Sequence, residues 1–113
     1  MRRRGGRVRR HIYSFKFRDD TTEEQIEAVR SSYEAMRAAD PDGWASLTMG
    51  PNISQSPRSA RYNWVVTIDF RTYKAYRDYE ESAAHREMVE KVLTPIVERL
   101  SGVDYDIDET PPE

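Results

Sequence analysis

Three observations predict an α+β fold of the ferredoxin-like βαββαβ type, a four-stranded antiparallel sheet with its helices on one face. Apolar and polar residues alternate at strand period near both ends of the chain and again over residues 62–70. Two segments between them carry apolar residues at helical spacing. Capping residues and Pro/Gly breaks divide these segments into the order strand, helix, strand, strand, helices, strand.

The first strand runs from Val8 to Phe17, with His11, Tyr13, Phe15 and Phe17 on one face and Arg10, Ile12, Ser14 and Lys16 on the other. Asp19-Asp20-Thr21-Thr22 then offers helix caps. Glu24 lies three beyond Thr21 and Gln25 three beyond Thr22, so either threonine can open a capping box. Ile26, Val29, Tyr33 and Met36 mark the helix that follows, and Asp40-Pro41-Asp42-Gly43 ends it.

Trp44 to Met49 reads as a short second strand, and Gly50 to Arg61 as a polar loop. Tyr62, Trp64, Val66, Ile68 and Phe70 give the clearest strand signal. Residues 72–80 form a tyrosine-rich helical segment that breaks near Glu81-Ser82. Ser82 caps a second helix, whose apolar stripe is Met88, Val89, Val92, Leu93, Ile96, Val97 and Leu100. Pro95 kinks or divides it, and Gly102 is placed as its terminating residue. Val103, Tyr105 and Ile107 make the last strand, and Asp104, Asp106 and Asp108 its solvent face. The expected organisation is a basic arm over 1–9, one domain over 10–108 and a loose tail over 109–113.

Composition narrows the function. With 113 residues, 37% of them apolar and 34% charged, the chain has few core residues for a domain of its size. The strands also carry apolar side chains toward both faces, Ile12 opposite Phe15 and Val65 opposite Val66. A homodimer joined through the open sheet face resolves both observations. The absence of cysteine excludes a disulfide framework, a thiol nucleophile and a thiolate metal site. No apolar run approaches the roughly 20 residues of a membrane span, and no signal-peptide pattern opens the sequence, so a cytoplasmic location is expected. Asn52-Ile53-Ser54 is accordingly read as a chance glycosylation triplet. Six arginines fall within the first ten residues, while all the acidic residues lie beyond them. No nucleic-acid motif follows that arm and the body is acidic, so a nucleic-acid partner is not expected.

Two histidines and two tyrosines are the candidates for chemistry. His11 is either a satisfied strand-end histidine or a titratable group inside an apolar cleft. His85 lies three residues past Ser82, in the first turn of a helix, where the helix dipole disfavours imidazolium and leaves a neutral ring able to take a proton. Tyr79 sits across the helix break from it, and Tyr33 places a phenol on an apolar stripe. A phosphate loop, a nucleotide fingerprint, a nucleophile elbow and a zinc motif are all missing from the sequence. No metal and no cofactor are expected.

The segments His11-Ile12-Tyr13-Ser14-Phe15-Lys16-Phe17, Thr22-Glu23-Glu24-Gln25, Gly50-Pro51-Asn52-Ile53-Ser54, Tyr79 with Ala84-His85, and Val103-Asp104-Tyr105 together resemble the stress-responsive α/β-barrel (Dabb) family over residues 10–108. The resemblance implies a dimeric α+β barrel with a cleft between sheet and helices in each subunit. Within the family it extends to plant polyketide cyclases of the olivetolic acid cyclase type, which close a linear polyketide thioester by aldol condensation without a cofactor. Their catalytic tyrosine and histidine fall on Tyr79 and His85, a strand histidine on His11 and a pocket tyrosine on Tyr33; with Trp64 and Tyr13, His11 and Tyr33 are the expected substrate-binding residues. Where the family often has His-Pro-Ala-His, this chain has Ser82-Ala83-Ala84-His85. An apolar pocket position of the cyclases falls on Arg30 and a second cleft histidine on Trp64, so the implied substrate differs from theirs. The leading expectation is a cofactor-independent, acid–base cyclase acting on a polyketide-like carbonyl compound. The alternatives are a non-catalytic stress-responsive dimer that binds a small molecule, or a cofactor-free monooxygenase.

Overall fold

The computed structural model describes residues 7–108, and the expected tail lies outside them. Strand β1 (Arg7–Phe17) is followed by helix α1 (Glu23–Ala39), strands β2 (Trp44–Pro51) and β3 (Trp64–Phe70), helices α2 (Tyr73–Glu81) and α3 (Ala83–Met88), and strand β4 (Val97–Asp108). All pairings are antiparallel, in the spatial order β2-β3-β1-β4. The predicted ferredoxin-like architecture is present. The strand expected from Val8 begins one residue earlier, so Arg7, assigned only to the arm, pairs with Asp108, while Val8 and Arg9 pair with Ile107 and Asp106; residues 1–6 of the arm lie outside the described residues.

Local chemistry fixes the helix starts. Thr22, rather than Thr21, caps α1: its hydroxyl accepts from the Gln25 backbone N–H at 3.1 Å while the Gln25 side chain accepts from the Thr22 N–H at 2.9 Å. Such a cap stabilises a helix by about 1 kcal/mol. The Thr72 and Ser82 hydroxyls cap α2 and α3 by accepting from the Ala75 and His85 backbone N–H, at 3.0 Å each, with no reciprocal side chain.

The second half departs from the sequence reading. The helix predicted to reach Leu100 ends at Leu93, after a single wide turn over Val89–Leu93 closed by a bond from the Thr94 N–H to the Val89 carbonyl at 2.9 Å. Pro95 has no N–H to continue the ladder, so it divides rather than kinks the segment. Val97 and Leu100 belong to β4, opposite Phe17 and Phe15. Their spacing of three imitates a helix because the register shifts there and leaves Glu98 without a partner on β1, so both side chains face the helices. Gly102 is not a helix terminus. It lies within β4 opposite Tyr13, and no described glycine has positive φ. A Cβ there would meet the Tyr13 ring at 2.7 Å, so glycine lets that ring lie across the strand.

The core lies between the sheet and the helices. Phe15, Val66, Ile68 and Phe70 from the strands meet Val29, Tyr33 and Met36 from α1, with Tyr79, Met88 and Leu93 closing the other side. No helix among the described residues is long and apolar enough to cross a membrane.

Candidate functional site

Four elements aim polar groups into this aromatic interior. β1 contributes His11 and Tyr13, α1 Tyr33, α2 Tyr79, and the first turn of α3 His85. A cavity of about 250 Å³ opens between β1, β4 and the helices, with Tyr13, Tyr33 and His85 as polar lining and Val89, Leu93 and Leu100 among its apolar walls. His11 and Tyr79 lie next to these residues: the His11 ring is 4.2 Å from that of Tyr13 and 5.8 Å from that of Tyr79, and the Tyr79 ring is 4.5 Å from that of His85.

His11 is only 3% exposed, and its Nδ1 lies 2.6 Å from Asp104 Oδ1. In the neutral ring Nδ1–H donates to the carboxylate, which leaves Nε2 as a proton acceptor. Nε2 is buried and has no hydrogen-bond partner. Asp104 is held in turn by Arg9 Nε at 3.4 Å. This corrects the expectation that Asp104 lies on a solvent face. Because β4 pairs with β1 so that Asp104 stands opposite His11, its side chain projects to the helix side, and Val103, Tyr105 and Ile107 take the open side. Sequence reasoning missed Asp104. The available signal was the apolar alternation itself: Val103, Tyr105 and Ile107 on one face put Asp104 on the other, beside His11, while Asp106 and Asp108 remain exposed as expected.

The Tyr33 and Tyr79 hydroxyls are likewise buried with no hydrogen bond of acceptable geometry, although they are close enough to influence each other's ionisation. Burial pushes both phenols well above their ordinary pKa, so they remain protonated donors at neutral pH. Tyr13 is pushed up to about 12, first by burial and then by the charges of Glu80 and Asp104. His85 is half-buried and moves the other way. Desolvation lowers its pKa, the charge and backbone carbonyl of Glu80 partly offset this, and His11 adds a small further lowering. Its ring is therefore neutral at pH 7, with burial as the leading cause. The contact of Tyr79 with His85 is ring against ring, tilted by 59°.

Trp64 is buried beside Phe17 at 5.6 Å and does not line the cavity. The Arg30 guanidinium covers its ring at 5.4 Å and lies 3.8 Å from Glu27. Among the described residues no group of three His, Asp or Glu side chains is placed to hold a metal ion.

Residues 10–107 match the stress-responsive A/B barrel (Dabb) domain. No curated protein matches the chain. Among solved structures, a dimeric ferredoxin-like protein of unknown function from Thermobifida fusca is similar, at 22% identity and a TM-score of 0.73, over 90% of this chain and 92% of that one. A hydroxynitrile lyase from Passiflora edulis shares 18% identity with a TM-score of 0.77, over 93% and 97%. A Dabb protein with a ferredoxin-like fold from Mesorhizobium loti shares 19% with a TM-score of 0.71, over 88% and 95%. At these identities the likeness is one of fold.

Proposed function

This chain belongs to the stress-responsive A/B barrel (Dabb) domain family, and on that premise we propose that its cleft carries out cofactor-independent acid–base chemistry of the aldol type on a polyketide-like carbonyl compound. The observation that carries the reading is the set of three buried, unpartnered polar atoms, His11 Nε2, Tyr33 OH and Tyr79 OH. Leaving such atoms without partners costs about 1–3 kcal/mol each, a cost that a ligand's oxygens relieve on binding. Neutral His85 is the base that removes a proton from the carbon beside a carbonyl. Tyr79, kept protonated by burial, donates to the carbonyl oxygen as it gains negative charge. The enolate carbon then attacks a second carbonyl, whose π bond opens as the new carbon–carbon bond forms, and the resulting alkoxide takes the proton back from His85. His11, its tautomer set by Asp104, and Tyr33 orient the substrate, with Tyr13 as an edge contact. A hydroxynitrile lyase of similar fold is in keeping with chemistry at a carbon–carbon bond.

The test is turnover of a linear β-polyketo thioester by the purified protein. His85→Ala is expected to lower the rate by about 100-fold or more with the fold unchanged by circular dichroism. Full activity in that variant would overturn the assignment. The ring-to-ring contact of Tyr79 with His85 favours a second reading, a non-catalytic domain that binds a small molecule. Saturable binding by wild type without turnover would select it.

The protein acts as a homodimer in this proposal. Val103 and Tyr105 are about half exposed on the open sheet face, as an uncovered apolar patch would be, and structures of similar fold are described as dimeric. Sedimentation equilibrium distinguishes dimer from monomer.

A further inference from the structure

A second cavity, of about 500 Å³, lies on the far side of Tyr79, between α1 and the α2–α3 pair. None of the residues lining the first cavity lines this one. Its walls are apolar, formed by Ala35, Met36, Ala39, Trp44, Met88 and Val92, and its size falls in the range of small-molecule sites, roughly 300–1,000 Å³.

Its polar rim is nearly all engaged. Ser32 donates to the Ala28 carbonyl, and Ser82 caps α3. Asp78 is paired with Lys74 at 2.7 Å, and Glu87 with Lys91 at 3.3 Å. Asp40 is the exception, because its carboxylate meets only the Gly43 backbone N–H, at 3.2 Å. Gly43 leaves room for it: a Cβ there would overlap Asp40 Oδ2 and crowd Ala75 Cβ. Asp40 is also the C-terminal cap of α1, where the helix dipole is negative and a carboxylate is disfavoured. An anion at a negative helix end, with no cation hydrogen-bonded to it and only the more distant charge of Lys74 nearby, beside an apolar cavity, selects an amphipathic cation.

We propose that this cavity binds a small protonated primary amine with an alkyl or aryl body, its ammonium on Asp40 and its apolar part against Trp44, Met36 and Met88. The site adjoins the cleft across Tyr79, which forms part of its wall, and binding there does not require the chemistry assigned to the cleft.

Binding to the ¹⁵N-labelled full chain of three probes of equal length, hexylammonium, hexanol and hexanoate, tests it. The two tryptophans give an internal control, since Trp44 lines the cavity and Trp64 does not. The expected result is saturable movement of the Trp44 indole N–H by hexylammonium, with Trp64 unmoved, weaker binding of hexanol and the weakest of hexanoate. Asp40→Asn should weaken hexylammonium about five-fold, to the level of hexanol. Ala35→Phe, at an exposed lining position that does not threaten the fold, should abolish the response to all three. Hexanoate binding as tightly as hexylammonium, or no effect of either substitution, would overturn the proposal.

Discussion

Neighbouring residues of β1 carry polar groups to opposite faces of the sheet, and the two faces treat them differently. On the open face Arg10 makes two bonds to Asp69, at 2.8 and 3.0 Å, and Ser46 donates to the same carboxylate at 2.8 Å. Asp69 is 7% exposed with its charge fully engaged. One residue further along, His11 enters the cleft with a single partner and an unused Nε2, beside two tyrosines whose hydroxyls are also unused. A buried polar group kept for structure is saturated by the fold, whereas one kept for a ligand retains free valence.

The contrast can be attacked from both sides. The largest effect is expected at His85, where the pH dependence complements the loss of turnover in His85→Ala. Desolvation lowers its pKa, so the acid limb of kcat/KM should lie below the ordinary histidine value of about 6.5, with the rate rising as the ring loses its proton and then levelling. A limb above that value would remove His85 as the base. Next comes Asp69→Ala, which leaves Arg10 with Tyr105 alone. Because the Arg10 side chain is one-third exposed, the loss should be moderated to about 2 kcal/mol in urea unfolding.

The same pair sets an acid response. Arg10 and then Ser46 hold the Asp69 carboxyl below its usual range against the desolvation penalty, so in that window the unfolded chain binds more protons than the folded one. The stability it contributes is present above the ordinary aspartate value and is lost as the pH falls through the folded one. Asp69→Asn should flatten that part of the stability profile.

On the same open face, Tyr105→Asp should weaken the proposed dimer about ten-fold by sedimentation, with the cleft unaffected. The smallest effect has the opposite sign. Tyr33→Phe removes a buried hydroxyl that has no partner, and should raise stability by up to about 1 kcal/mol while weakening ligand binding. A destabilised Tyr33→Phe would mean that the fold already satisfies that group.

What the sequence revealed follows the range of the interactions involved. Thr22 with Gln25 and Ser82 act within one turn, so the starts of α1 and α3 were readable from spacing, whereas the Thr72 cap of α2 went unread. The alternation from Trp64 to Phe70 was readable because that strand has neighbours on both sides and no register shift within it. Val97 and Leu100 misled because the bulge opposite Lys16 and Phe17 gives a strand the spacing of a helix. Asp104 was misjudged for a different reason: the side it faces depends on pairing with a strand 93 residues away. Spacing suggested the nearness of Tyr79 and His85. That the Tyr79 hydroxyl turns toward Tyr33 instead depends on how α1 packs against α2, which no local pattern encodes.

The wide turn at Val89–Leu93 sets a phase relation. His85, Val89 and Leu93 all reach the cleft cavity, at two successive intervals of four. In a regular α-helix eight residues drift by about 80° around the axis, and a turn closed through i→i+5 takes in an extra residue and removes part of that drift. The insertion therefore keeps the base and the rear wall of the cavity in file along one side of the segment. Deleting a single residue there would rotate one against the other by about a quarter turn, whereas the surface loop between β2 and β3 should absorb the same deletion with little consequence.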